Sequence, residues 1–168
     1  MEAFYLETFF RYNWMVREQW YRWCEDVPEE DLLKVRTGGV GSILKTLFHV
    51  ADVEWSWIQS IQGKPDFLED FNLYQSLAQV RALDARFRHD VEGFVLGWRE
   101  ELERKMFDDL LPDGRVRSLA WGEVLRHVIA HEIHHMGQLS VWAREIGKAP
   151  VSANLIEKGL VFSLPGRE

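Results

Sequence analysis

Residues 120–146 of the chain read AWGEVLRHVIAHEIHHMGQLSVWAREI. Apolar side chains recur along them at helical spacing: Val124, Val128, Leu139 and Trp142. Because this period is that of one face of an α-helix, the stretch predicts a long amphipathic helix, and Gly147 is a suitable stop for it. Three histidines follow the same line, so this helix is expected to carry a polar row on a side that faces the interior.

Three further segments show the helical period, over residues 2–25, 42–62 and 76–105. Ser42 is a suitable N-cap for the second of them. Ser76 with Gln79 has the form of a capping box at the start of the third. The chain therefore contains four long helical segments with little strand signal, which predicts an all-α four-helix bundle.

Two smaller elements are predicted in addition. Pro112-Asp113-Gly114 is a turn signal, and it predicts a small hairpin of residues 107–111 and 115–119 between the third and fourth long helices. One more short helix is predicted near the C-terminus, over Ser152–Lys158.

Length and composition exclude several classes of protein. The 168 residues fit one domain spanning 1–168, and 46% hydrophobic residues indicate a packed core. A net charge of −7 argues against a nucleic-acid partner. The sequence contains no run of 18 apolar residues, so no membrane span is predicted. The N-terminus lacks a basic signal region, and the single Cys24 cannot form an internal disulfide, so we expect a cytoplasmic location.

The histidines of the last long segment predict a metal site. His127, His131 and His135 are spaced by four and lie in one line along a helix, with His134 beside it. Buried imidazoles are costly unless each has a partner, and imidazole nitrogen suits divalent zinc, nickel or iron. A metal site is therefore favoured over a hydrogen-bonded core network or a solvent-facing row.

His131 to His135 also match the H-E-x-x-H pattern of zinc proteases. The longer form of that pattern requires glycine at 138 and histidine at 141, where this chain has Gln138 and Val141. Glu157 has a suitable position for the other form, but it lies in a short tail. The pattern therefore gives little support to a protease.

A firm site needs a third ligand. His89 lies on a charged face and is expected in solvent, whereas His49 lies in the middle of the second segment. On an ideal helical wheel His49 is about 160° from Leu47, away from the centre of the apolar stripe. Spacing alone therefore leaves the role of His49 open.

Two motifs together resemble the DinB/YfiT-like family. They are Leu47-Phe48-His49-Val50-Ala51 with Glu54-Trp55, and residues 127–139, HVIAHEIHHMGQL; Tyr12-Asn13-Trp14 is similar to that family's first-helix pattern. The resemblance covers nearly the whole chain. Met136 departs from the arginine that the family more often has after its paired histidines.

The resemblance implies a four-helix bundle with a divalent metal, most often nickel or zinc, held by His49, His131 and His135. It leaves His127 and His134 with supporting or core roles. Relatives that use thiols such as bacillithiol imply a thiol S-transferase acting on a small-molecule substrate, and family habit implies a homodimer. The alternatives are a metal-dependent hydrolase, a non-enzymatic metal-binding protein of the stress or DNA-damage response, and a metal-free bundle.

Other polar and aromatic residues near these motifs have two interpretations each. Glu132 is expected in a surface or salt-bridge role rather than as a base, because it points about 100° away from His131. Asp52 and Glu54 are candidates to orient a ligand imidazole or to pack in the bundle. Aromatic core is the expected role of three tryptophans, with pocket lining as the alternative: Trp55, Trp57 and Trp142.

Overall fold

The computed structural model describes residues 2–160, with side chains from residue 5 onward. Its four long helices are α1 Glu2–Cys24, α3 Ile43–Ile61, α4 Leu77–Leu96 and α5 Trp121–Glu145, and a short helix α2 Glu29–Leu33 lies between α1 and α3. An antiparallel hairpin of β1 Met106–Leu110 and β2 Val116–Ala120 connects α4 to α5. The predicted helical bundle and the hairpin are both confirmed.

The predicted helix starts rest on capping hydrogen bonds that the structure contains. The Ser42 hydroxyl accepts from the backbone N–H of Lys45 at the start of α3. Ser76 and Gln79 exchange the two hydrogen bonds of a capping box at the start of α4. Gly147 follows α5 with a φ of 76°, a conformation that favours glycine.

One predicted helix end and one predicted helix were wrong. The α4 helix ends at Leu96, where Gly97 caps it, and not near residue 105. Residues 152–158 form no helix, because side chains there bind the backbone locally: Asn154 N–H donates to Ser152 Oγ, and Ile156 N–H donates to Asn154 Oδ1. Such bonds compete with helix formation.

Apolar side chains form two core clusters at different heights of the bundle. One contains Trp20 and Leu139, and the other contains Ile58 and Trp121. On α3 and α5 the residues between the two clusters include buried acids, which is unusual for a helical core. The middle of the bundle is therefore polar.

Arg17 of α1 connects all four long helices at this level. Its side chain is 0% exposed, and its Nε and Nη2 both donate to Glu132 of α5. Its Nη1 donates to Glu54 of α3 at 3.0 Å and to Asp84 of α4 at 2.7 Å. Since residues 131 and 132 point about 100° apart on a helix, holding Glu132 against α1 turns His131 toward another side of α5.

None of the helices within residues 2–160 is long and apolar enough to cross a bilayer.

Candidate metal centre

Three imidazoles from two helices meet at one point. His49 comes from α3, and His131 and His135 come from successive turns of α5. The Nε2 atom of His131 lies 3.1 Å from Nε2 of His49 and 3.1 Å from Nε2 of His135. One nitrogen from each residue lies within 4.8 Å of the others, so the three side chains are placed to hold one metal ion.

Gln138 fixes the orientation of one of these rings. Its Oε1 can only accept a hydrogen bond and lies 2.7 Å from Nδ1 of His135. The proton of that imidazole is therefore on Nδ1, which leaves the Nε2 lone pair directed at the other two histidines. Gln138 Nε2 donates to Nε2 of His134 at 3.0 Å, so the amide is held at both ends.

Gly39 lets the loop before α3 approach this glutamine. Its φ is +52°, and a Cβ atom at this position would lie 2.4 Å from Oε1 of Gln138. The same Cβ would lie 3.2 Å from the Trp142 ring, whose Nε1 donates to the carbonyl of Thr37 in the same loop. The oxygen that Gly39 leaves room for is the one that holds His135.

Replacing Gly39 with alanine is expected to displace Gln138 and to release Nδ1 of His135. Loss of such a supporting hydrogen bond lowers metal affinity by about 10- to 100-fold, which competition with a chromophoric zinc chelator would measure. Gly38→Ala is the matched control, since Gly38 has a φ of +90° but nothing within 4 Å of a Cβ. Equal losses of affinity in the two variants would show that backbone strain, not Gln138, is responsible.

The imidazoles are held in their neutral form. Burial, followed by the neighbouring histidines, lowers the pKa of His131 to about 3 and that of His49 to about 4. Burial also lowers the pKa of His135, although its bond to Gln138 opposes this. Neutral imidazole is the form that binds metal, so the site needs no deprotonation at neutral pH.

The same shifts predict how pH affects the metal-free protein. In the unfolded chain the imidazoles take up protons near pH 6.5, whereas burial in the folded protein lowers the pKa of His49 to about 4 and that of His131 to about 3. These histidines therefore do not reduce the free energy of unfolding above about pH 7, and they lower it as the pH drops below 6.5. Urea unfolding of metal-free protein between pH 7.5 and 5 should show a smaller fall for His131→Ala than for the native sequence; identical slopes would contradict the prediction.

The other histidines are not part of the cluster of His49, His131 and His135. His127 is exposed one turn before His131, with 5.9 Å between the two ring centroids. His134 is exposed and binds Gln138, and His89 is exposed on α4 as expected. In the row of histidines spaced by four, exposure falls from His127 through His131 to His135, which is 6% exposed, so the His127 end of this row is the one nearest to solvent.

Within residues 5–160, the carboxylates near the motifs make no hydrogen bond or ion pair with the three rings. Glu132 takes the salt-bridge role, but it is buried rather than on the surface. Glu54 accepts from Trp14 Nε1 and from Arg17, and Asp52 accepts from the Ser56 hydroxyl. Of the residues considered for orienting one of these rings, neither Asp52 nor Glu54 does so, and Gln138 holds the ring of His135 instead.

The three tryptophans divide between the two expected roles. Trp142 is buried in the core, and Trp55 stacks on Phe87 with 4.6 Å between centroids. Trp57 lines a surface cleft together with His127. Sequence reasoning missed the importance of Arg17; a lone arginine in the apolar stripe of the first helix was the available signal.

Comparisons with known proteins identify the family of this chain. A model of the DinB family matches residues 1–159. The chain is 46% identical over 152 residues to the uncharacterized protein YizA of Bacillus subtilis (strain 168), which covers 90% of this chain and 94% of that protein. The protein therefore belongs to the DinB family.

Proposed function

We propose that the protein is a metal-dependent enzyme in which His49, His131 and His135 bind one divalent ion, zinc or nickel, with iron as an alternative. The observation that carries this proposal is the pair of 3.1 Å Nε2–Nε2 distances. Ligands in tetrahedral zinc sites with metal–nitrogen bonds of 2.0–2.1 Å lie about 3.3 Å apart. The side chains thus need only a small adjustment to hold an ion.

The arrangement is hard to explain without a bound cation. Nδ1 of His135 carries that ring's proton, so its Nε2 can only accept. If Nε2 of His131 carries a proton, it can donate one good hydrogen bond, either to Nε2 of His49 or to Nε2 of His135, but not to both. A cation at the common point would satisfy all three lone pairs.

Three protein ligands leave room for a further ligand, which is the arrangement of catalytic rather than structural zinc sites. A divalent ion there would lower the pKa of a bound water or thiol and so supply a nucleophile near neutral pH. The chain contributes the oriented ring of His135 and an opening beside the exposed His127. Glu132 is engaged on both oxygens by Arg17, which argues against the base role that the protease pattern requires.

The reaction we favour is transfer of a low-molecular-weight thiol, of the bacillithiol type, to a small electrophile. Its support is family membership together with an accessible three-histidine centre. Metal-dependent hydrolysis and a purely metal-binding role in a stress response are the competing functions, and the experiment below separates them from the transferase.

The test uses untagged protein reconstituted with zinc or nickel and then mixed with bacillithiol and monochlorobimane. The loaded protein should form the fluorescent conjugate faster than the same concentration of free metal. It should also be faster than His131→Ala protein treated in the same way. Metal-loaded protein that gives no acceleration with bacillithiol, cysteine or coenzyme A would contradict the transferase, and ester or amide hydrolysis would then be assayed.

A further inference from the structure

A cleft of about 190 Å³ lies between the hairpin, α3 and α5, and it ends at His127, one turn of α5 before His131. It is lined by Trp57, Arg117, Leu119, Glu123, Val124 and His127. His127 connects the cleft to the centre, because its ring centroid is 5.8 Å from that of Trp57 and 5.9 Å from that of His131. A molecule bound between the hairpin and α5 in this cleft would therefore lie against His127, next to the three-histidine centre.

Arg117 of β2 provides a fixed cation at one wall of the cleft. Its Nε donates to Asp109 Oδ2 of β1 at 2.7 Å, and its guanidinium lies 5.7 Å from the centre of the Trp57 ring. Within residues 5–160 its two terminal nitrogens have no hydrogen bond or ion pair. A guanidinium held at Nε with free terminal nitrogens is suited to bind a carboxylate through both.

Glu123, in the first turn of α5, provides a carboxylate on another wall. It is exposed, and among the residues that the structure describes it has no ion pair. Asp109 balances the charge of Arg117, so Glu123 leaves the cleft with a net negative charge. A simple anion is disfavoured by that charge, whereas a molecule with both an ammonium and a carboxylate is matched to it.

We propose that this cleft binds the amino-carboxylate end of a small amino-acid-like substrate, with the carboxylate on Arg117 and the ammonium on Glu123. The indole of Trp57 and the side chain of Leu119 contact the carbon chain. The reactive group of the substrate lies toward His127 and His131. This inference rests on the proposed function, because it places a substrate next to the metal centre.

The test measures binding rather than turnover. Untagged protein loaded with Co²⁺ is titrated with cysteine, with N-acetylcysteine, which lacks the ammonium, and with cysteamine, which lacks the carboxylate. Binding is followed through the thiolate-to-cobalt absorption, with cobalt content measured after each titration. We expect cysteine to bind at least ten-fold more tightly than either analogue.

The variants identify the two contacts. Arg117→Gln should lower the affinity for cysteine and N-acetylcysteine about ten-fold and leave cysteamine unchanged. Glu123→Gln should lower the affinity for cysteine and cysteamine but not that for N-acetylcysteine, whose carboxylate is no longer repelled by Glu123. An amine can chelate cobalt by itself, so the ranking of the three thiols in the native protein does not show whether Arg117 and Glu123 contact the ligand. The changes in affinity on mutation do.

Arg115→Gln is the matched control, since Arg115 makes the same kind of bond, Nε to Asp113 Oδ2 at 2.8 Å, at the turn of the hairpin outside the cleft. It should change no affinity. Arg117→Lys keeps the charge but loses the two terminal nitrogens that would bind a carboxylate together. Its affinity for cysteine should lie between those of the native protein and Arg117→Gln. Protein that binds no cobalt would overturn the proposed metal site itself. Protein that binds cobalt and thiols equally well with and without Arg117 would overturn only the cleft.

Discussion

Arg17→Met is expected to destabilise the protein by about 3–5 kcal/mol or more, because it removes the cation from a buried cluster of three carboxylates and leaves Glu132 without its ion-pair partner. Arg17 is fully buried and binds carboxylates from α3, α4 and α5. A loss of this size is a large part of the 5–15 kcal/mol that typically holds a domain together. Urea unfolding should show it as a lower midpoint, and weak soluble expression would accompany it.

The matched control is Arg81→Met, because Arg81 also binds two carboxylates, Glu18 and Glu25, but does so at the surface with 40% of its side chain exposed. Surface ion pairs contribute about 0–1 kcal/mol, so this variant should remain close to the native protein. Similar losses in the two variants would contradict the special role given to the buried cluster.

The effect of pH identifies why Arg17→Met lowers the free energy of unfolding. Burial already raises the pKa of Glu132, and Arg17 opposes that rise. Without Arg17 the folded pKa of this carboxyl moves further above its unfolded value, so the variant gains stability as the pH falls through that range. The stability difference between native and Arg17→Met protein should therefore shrink from pH 8 to pH 5.5; a difference that does not change with pH would indicate a packing defect instead.

His49→Ala is expected to reduce zinc affinity by on the order of 100-fold or more, since it removes one of three ligands and a supporting contact alone is worth 10- to 100-fold. His49 is the single contribution of α3 to the centre. The remaining pair, His131 and His135, would bind one ion weakly. Competition titration against a zinc chelator measures the change, and unfolding midpoints of the metal-free proteins show whether the fold is retained.

Two histidines that are not part of the three-histidine centre serve as controls. His89→Ala removes an exposed imidazole of α4, and His127→Ala removes the exposed imidazole beside the cleft. Neither should change zinc affinity by more than about two-fold. If His127→Ala lost as much affinity as His49→Ala, the ion would have to lie further toward the hairpin than the three Nε2 atoms indicate.

Elements that depend on near neighbours in the chain could be predicted from sequence. The caps at Ser42 and Ser76 are bonds between residues three apart, and the hairpin follows from a turn signal between two short strands. The tail was predicted wrongly for a related reason. There the side chains of Ser152 and Asn154 accept hydrogen bonds from the local backbone, and such bonds compete with helix formation.

The site could be predicted only in part, because its geometry depends on contacts between distant segments. Spacing placed His131 and His135 in one line, but the position of His49 depends on how α3 is rotated. That rotation is fixed by Glu54 against Arg17. The contact of Gly39 with Gln138 joins residues about 100 positions apart, and a glycine in a loop gives no sign of what it approaches.

The most direct test is a crystal structure of the untagged, zinc-reconstituted protein with anomalous diffraction at the zinc edge. We predict one strong anomalous peak about 2.0–2.1 Å from Nε2 of His49, His131 and His135 alike. Zinc bound by His127 or His134 instead, or a fully reconstituted crystal with no zinc beside His49, would contradict a shared centre between α3 and α5.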